Sequence, residues 1–125
     1  MTTKIEETKY GLKIATIAKI NGVFSRYPSI EKAILYGSRA KGNYRNGSDI
    51  DLTLKGDALT HRELSKIEIE LDDLLLPYKI DLSMFRQIAN PNLIEHIERV
   101  GVVFYQRDMR NPMKCATKPD TKTAM

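Results

Sequence analysis

Residues 49–54 read Asp-Ile-Asp-Leu-Thr-Leu, a strict alternation with Ile50, Leu52 and Leu54 on one side and Asp49, Asp51 and Thr53 on the other. A period of two is the signature of a β-strand with one buried face. The pattern demands a sheet, and demands apolar cover for one side of it. It also leaves two carboxylates, two residues apart, on the side that stays open.

The rest of the chain supplies the cover. Tyr10, Ile14, Ile17, Ala18 and Phe24 recur at helical spacing, predicting an amphipathic helix over about residues 5 to 26 that ends near Tyr27-Pro28. Lys32 to Tyr36 is a short apolar run stopped by Gly37, which reads as a buried strand. Thr60 and Glu63 stand at capping-box spacing, and the stripe Leu64, Ile67, Leu71, Leu74, Leu75 predicts a helix over 61–75, stopped by Pro77. From Tyr78 to Phe85 the alternation returns, Ile80, Leu82 and Met84 opposed to Lys79, Asp81 and Ser83. Asn90-Pro91 opens a last helix with the stripe Leu93, Ile94, Ile97, Val100, closed by Gly101, and Val102 to Tyr105 form a final extended segment. This order predicts a small α/β domain with a mixed sheet. Helices pack on one face, and Asp49, Asp51 and Asp81 project from the other.

At 125 residues the chain suits one domain. With 42% hydrophobic and 29% charged residues it falls among globular proteins, and no apolar run reaches bilayer-spanning length. The first ten residues, MTTKIEETKY, lack the apolar core of a secretory signal, and the single Cys115 has no partner for an internal disulfide. The expectation is a cytoplasmic protein without a membrane partner. The net charge of +4 is concentrated at one end: residues 107–125 hold five basic and two acidic groups, leaving the first 106 near neutral. We therefore expect a domain over 1–106 and a disordered basic tail over 107–125, with no specific nucleic-acid binding implied by charge of this kind.

Carboxylates at i and i+2 on a strand point the same way, with Cα atoms roughly 6–7 Å apart, and repel one another unless cations lie between them. Mg²⁺ prefers such hard oxygen ligands together with substrate phosphates, and paired ions can stabilise both the attacking and the leaving oxygen of an in-line displacement. Asp49 and Asp51 fit the ligand role. Asp81 could complete the cage or accept the proton of an attacking hydroxyl. Ahead of them, Gly37 permits close backbone approach, and Ser38 is positioned to cap a short helix at Arg39-Ala40-Lys41 and to offer amides and a hydroxyl to phosphate. Arg39, Lys41 and Arg45 add positive charge nearby. These parts describe phosphoryl or nucleotidyl transfer.

Gly37-Ser38, ten residues, then Asp49-Ile50-Asp51 resembles the signature of the DNA polymerase beta-type nucleotidyltransferases. The fuller stretch, Gly37-Ser38-Arg39-Ala40-Lys41-Gly42 with Ser48-Asp49-Ile50-Asp51-Leu52, is similar to their minimal prokaryotic branch. The resemblance covers roughly residues 10 to 106 and includes Lys79-Ile80-Asp81-Leu82 at the expected distance. It implies that Gly37 and Ser38 contact a triphosphate, with Arg39, Lys41, Arg45 and Ser48 completing the nucleotide-binding set. It further implies that Asp49, Asp51 and Asp81 are the catalytic and metal-binding carboxylates, for two Mg²⁺ ions with ATP as donor.

Longer relatives carry a further helical domain for the acceptor; the expectation is that this chain has none, so the resemblance implies an acceptor on a second chain. In the minimal branch that chain is a HEPN-domain ribonuclease toxin encoded alongside, which the antitoxin modifies with AMP, commonly at a tyrosine. A binding antitoxin without catalysis and transfer to a small molecule such as an aminoglycoside stand as alternatives.

Plainer readings accompany these. Arg39, Lys41 and Arg45 also suit a solvated basic loop. Tyr44 can stack on a base or simply sit in its loop. His61 and His96 lack metal-ligand spacing and read as surface residues. Cys115 has no adjacent base.

Overall fold

The computed structural model describes residues 8–45 and 47–107. The expected tail beyond Arg107, including Cys115, lies outside the described residues. Arg107 itself is tied back: its N–H donates to Glu31 O at 3.0 Å and its guanidinium to Pro28 O.

The chain opens with a hairpin, β1 (Thr8–Lys9) and β2 (Leu12–Lys13), in place of the first half of the expected helix. The reason lies at its tip. Tyr10 and Gly11 take φ of 60° and 77°, and two consecutive positive φ values make the tight turn that matches the twist of paired strands and cannot continue a helix. Helix α1 is thereby shortened to Ile14–Phe24.

Four strands form the main sheet: β3 (Lys32–Tyr36), β4 (Ile50–Lys55), β5 (Ile80–Met84) and β6 (Val102–Gln106), in the order β5-β4-β3-β6. β3 pairs antiparallel with β4 and β6, whereas β4 and β5 run parallel, so the sheet is mixed as expected. Parallel neighbours need a crossover. Helix α3 (His61–Asp72) provides it, opened by a complete capping box in which Thr60 Oγ accepts from Glu63 N at 3.1 Å and Glu63 Oε1 accepts from Thr60 N at 3.4 Å. It stops three residues short of the expected end, and Leu75 follows it with a left-handed φ of 56°.

The covered face is built as the alternation requires. Ile50, Leu52 and Leu54 of β4, Ala33 and Leu35 of β3, and Leu82 and Met84 of β5 form one cluster with Ile20, Val23 and Phe24 of α1 and Ile67 and Leu71 of α3. Truncating Leu52, which is wholly buried, to alanine would cost about 2–5 kcal/mol. A bulge between Ala33 and Ile34 lets β6 turn both Phe104 and Tyr105 inward, against Tyr10 and Phe24 respectively.

Two short elements complete the domain. Helix α2 (Ser38–Lys41) follows β3 directly, and helix α4 (Pro91–Val100) starts with Asn90 Oδ1 accepting from Asn92 and Leu93 N–H. α4 does not join α1 and α3. It packs against β3, where Gly101 leaves no room for a β-carbon beside Ile34 Cγ2, and its His96 reaches Tyr36. Among the described residues no helix is long and apolar enough to cross a membrane.

Candidate active site

Sheet register creates the site. Tyr36 of β3 pairs with Asp51 of β4, and Asp51 pairs with Asp81 of β5, so the three side chains form a row across neighbouring strands on the face away from the main core. Adjacent strands lie roughly 4.8 Å apart, close enough for carboxylates to sense one another. Asp49 stands exposed just before β4. Burial lifts the Asp51 carboxyl above its ordinary range, the charges of Asp81 and Asp49 push the same way, and His96 opposes them. No lysine or arginine among the described residues forms an ion pair with these carboxylates.

Beneath the row the sheet is polar but closed. Thr53 is fully buried, and Ser83 Oγ donates to its Oγ1 at 2.9 Å. Burial raises the Tyr36 hydroxyl above its ordinary value; a hydrogen bond with Ser83 works the other way, and the charges of Asp51 and Asp81 add to the rise.

The turn follows directly from Tyr36. Gly37 takes φ 78° and ψ −156°, a conformation open essentially to glycine, and a β-carbon there would run into Asp51 Oδ2. Its N–H donates to His96 Nε2 at 3.2 Å. Gly37, and not Ser38 as the sequence suggested, occupies the N-cap position of α2. Ser38 is the first helical residue, because the extended strand runs to Tyr36 and one glycine suffices to turn the chain. Gly42 then closes α2 in the left-handed region.

The expected basic set divides. Arg39 is only 2% exposed: it donates to Ser48 O through Nε and Nη2 at 3.2 and 2.9 Å, and to Tyr10 O through Nη1 at 2.9 Å. Its guanidinium lies over the rings of Tyr44 and Tyr78 at 5.3 and 5.0 Å. The guanidinium is thus turned inward, toward the loop and the opening hairpin. A buried guanidinium needs acceptors, and the loop carbonyls provide them. Ser48 likewise turns to the loop, its Oγ accepting from Arg45 N at 2.8 Å. Lys41, Arg45 and Tyr44 are exposed beside the site, while His61 is exposed at the start of α3.

His96, read as a surface residue, stands instead against the turn, half-buried, its ring edge-on to Tyr36 with centroids 6.2 Å apart. Neither residue has a motif of its own. The only local sign was that His96 adjoins the core residue Ile97.

The donors gathered here are hard carboxylate oxygens, one of them destabilised by burial and by its neighbours, which suits a divalent cation of the Mg²⁺ type. Among the described residues, however, no group of three or more His, Cys, Asp or Glu is placed to hold a metal ion by itself. A cation here would draw further oxygens from water or phosphate, as Mg²⁺ commonly does.

A model of the polymerase beta nucleotidyltransferase domain matches residues 18–110. No curated protein sequence matches the chain. Among solved structures, a chain of a toxin–antitoxin complex with AMP-PNP superposes with a TM-score of 0.56 at 22% identity, covering 74% of this chain and 73% of its own. A chain of the MntA–HepT toxin–antitoxin complex gives 0.55 at 20% identity, covering 74% and 72%. A chain from the tri-AMPylated Shewanella oneidensis HEPN toxin in complex with MNT antitoxin also gives 0.55 at 20%, covering 74% and 71%. At these identities the likeness is one of fold.

Proposed function

The chain belongs to the polymerase beta nucleotidyltransferase family, and on that premise we propose that it transfers AMP from ATP to a hydroxyl, a tyrosine of a HEPN-domain toxin, and so acts as the antitoxin of a type VII-like pair. The observation that carries the reading is the junction of Gly37 with Asp51, in register with Asp81 and two residues after Asp49. It sets a glycine turn suited to close phosphate approach against a cluster of carboxylates with which no described lysine or arginine pairs. The similar fold of chains in complexes containing AMP-PNP and an AMPylated HEPN toxin supports the donor and the partner.

In this reading Gly37 and Ser38 seat the triphosphate, with Lys41 and Arg45 screening its charge from the exposed loop. Asp49 and Asp51 would hold Mg²⁺, whose chemistry there would be the neutralisation of phosphate charge. Asp81, exposed at the end of the row, takes the proton of the attacking hydroxyl or completes the metal's ligands. The oxygen–phosphorus bond to the acceptor forms as the bond between the α-phosphorus and the pyrophosphate oxygen breaks. Arg39 and Ser48 serve by shaping the loop that carries Asp49.

The test is a transfer assay with purified protein, Mg²⁺, each of the four α-labelled nucleoside triphosphates in turn and the HEPN-domain protein encoded alongside. Label on the partner from ATP, lost with Asp49→Asn, is the expected result. A stable complex without label would instead favour an antitoxin that acts by covering its partner.

A further inference from the structure

Gly37 sits in a backbone region with few natural restraints, yet the turn built on it adjoins the carboxylate row. The Gly37 carbonyl accepts from Lys41 N at 3.0 Å in the first turn of α2, and two further contacts hold its other side. Asp51 Oδ2 fills the space beside its Cα, and His96 Nε2 accepts its N–H at 3.2 Å. The imidazole is itself braced, edge-on to Tyr36 at an interplanar angle of 81°. Its helix is anchored to β3 on the same side, with Ile97 buried and Gly101 closed against Ile34. His96 therefore ties α4 to the turn through an acceptor atom and not only through packing.

We propose that His96 is a positioning residue for nucleotide binding, holding the Gly37 peptide in the orientation the turn requires by accepting its N–H at Nε2. Because Nε2 accepts, the neutral ring carries its proton on Nδ1. Losing the acceptor frees the peptide to rotate, so the nucleotide must order the turn as it binds, which weakens binding without removing a group from the reaction. The consequence for transfer rests on the function proposed above; the hydrogen bond and its tautomer do not.

Two variants and one spectrum test this. Phenylalanine keeps a ring against Tyr36 and removes the acceptor, whereas the side-chain oxygen of glutamine can reach the position of Nε2. For His96→Phe we expect KM for the nucleoside triphosphate to rise about fivefold, the effect of one neutral hydrogen bond, with kcat changed less. His96→Gln should return KM to near the wild-type value. In the intact protein, long-range proton–nitrogen spectra of the neutral imidazole should show the proton on Nδ1. A proton on Nε2, an unchanged KM in His96→Phe, or a glutamine variant no better than phenylalanine would each overturn the proposal. Wild-type protein that transfers nothing to any acceptor would sink the transfer reading instead, and the tautomer would then decide this one alone.

Discussion

Gly37 and Asp51 share so little space that a β-carbon on the glycine would overlap Asp51 Oδ2. The turn after β3 and the carboxylate on β4 are thus fitted to each other, and bulk added at Gly37 would displace Asp51. The contact explains why the residue after β3 must be glycine on two counts, its φ of 78° and the missing room.

Gly37→Ala should therefore damage both folding and transfer. A non-glycine residue in such a region costs about 1–3 kcal/mol, and displacement of Asp51 adds to it. Urea unfolding should show that loss, alongside transfer reduced by about 100-fold or more for a site misplaced at its reacting groups. A variant that transfers normally would show that the turn and strand are not rigidly coupled.

Asp51→Asn should stabilise the protein while abolishing transfer. The Asp51 carboxyl is raised by burial and by Asp81 and Asp49, so it binds a proton more readily folded than unfolded, and its ionisation removes stability as pH rises through the ordinary carboxylate range toward the raised value. Above both values the loss is complete; below both it vanishes. Without divalent cation or nucleotide, Tm of the variant should exceed wild type at pH 7 and match it in acid below the ordinary carboxylate range. Calorimetry across that range checks the sign, and an equal Tm at pH 7 would contradict it.

Arg39→Lys should be far from conservative. Lysine cannot reproduce a planar fork that serves Ser48 O and Tyr10 O while lying over two tyrosine rings. We expect a loss of about 2–4 kcal/mol in denaturant titrations, because the packing of the buried guanidinium and its bonds to two part-buried carbonyls are lost. A phosphate-facing arginine would behave differently, changing KM for the triphosphate with little effect on stability.

Thr60→Ala provides a control remote from the site. It breaks the capping box with Glu63 at the start of α3 and should cost about 1 kcal/mol, with transfer by the folded protein unchanged. A change in kcat would mean that α3 reaches the site.

The sheet, the crossover helix with its cap, the last helix and the positions of Gly37, Asp49, Asp51 and Asp81 could all be read from the chain, because alternation, helical stripes and capping pairs are short-range consequences of burying one face. The opening hairpin was less legible: a helical stripe from Tyr10 onward competed with the two positive φ values at Tyr10 and Gly11, and the turn prevailed. Local pattern could not say where a side chain points once elements pack. Whether Arg39 faces phosphate or folds inward depended on how the following loop returns Ser48 O and on Tyr10 O arriving from the opening hairpin. Whether His96 is a surface residue or part of the turn depended on which side of β3 receives α4. Sequence determined which carboxylates share a face, since strand periodicity is carried by neighbouring bonds. Tertiary structure alone decided which charges surround them, since those contacts join residues tens of positions apart.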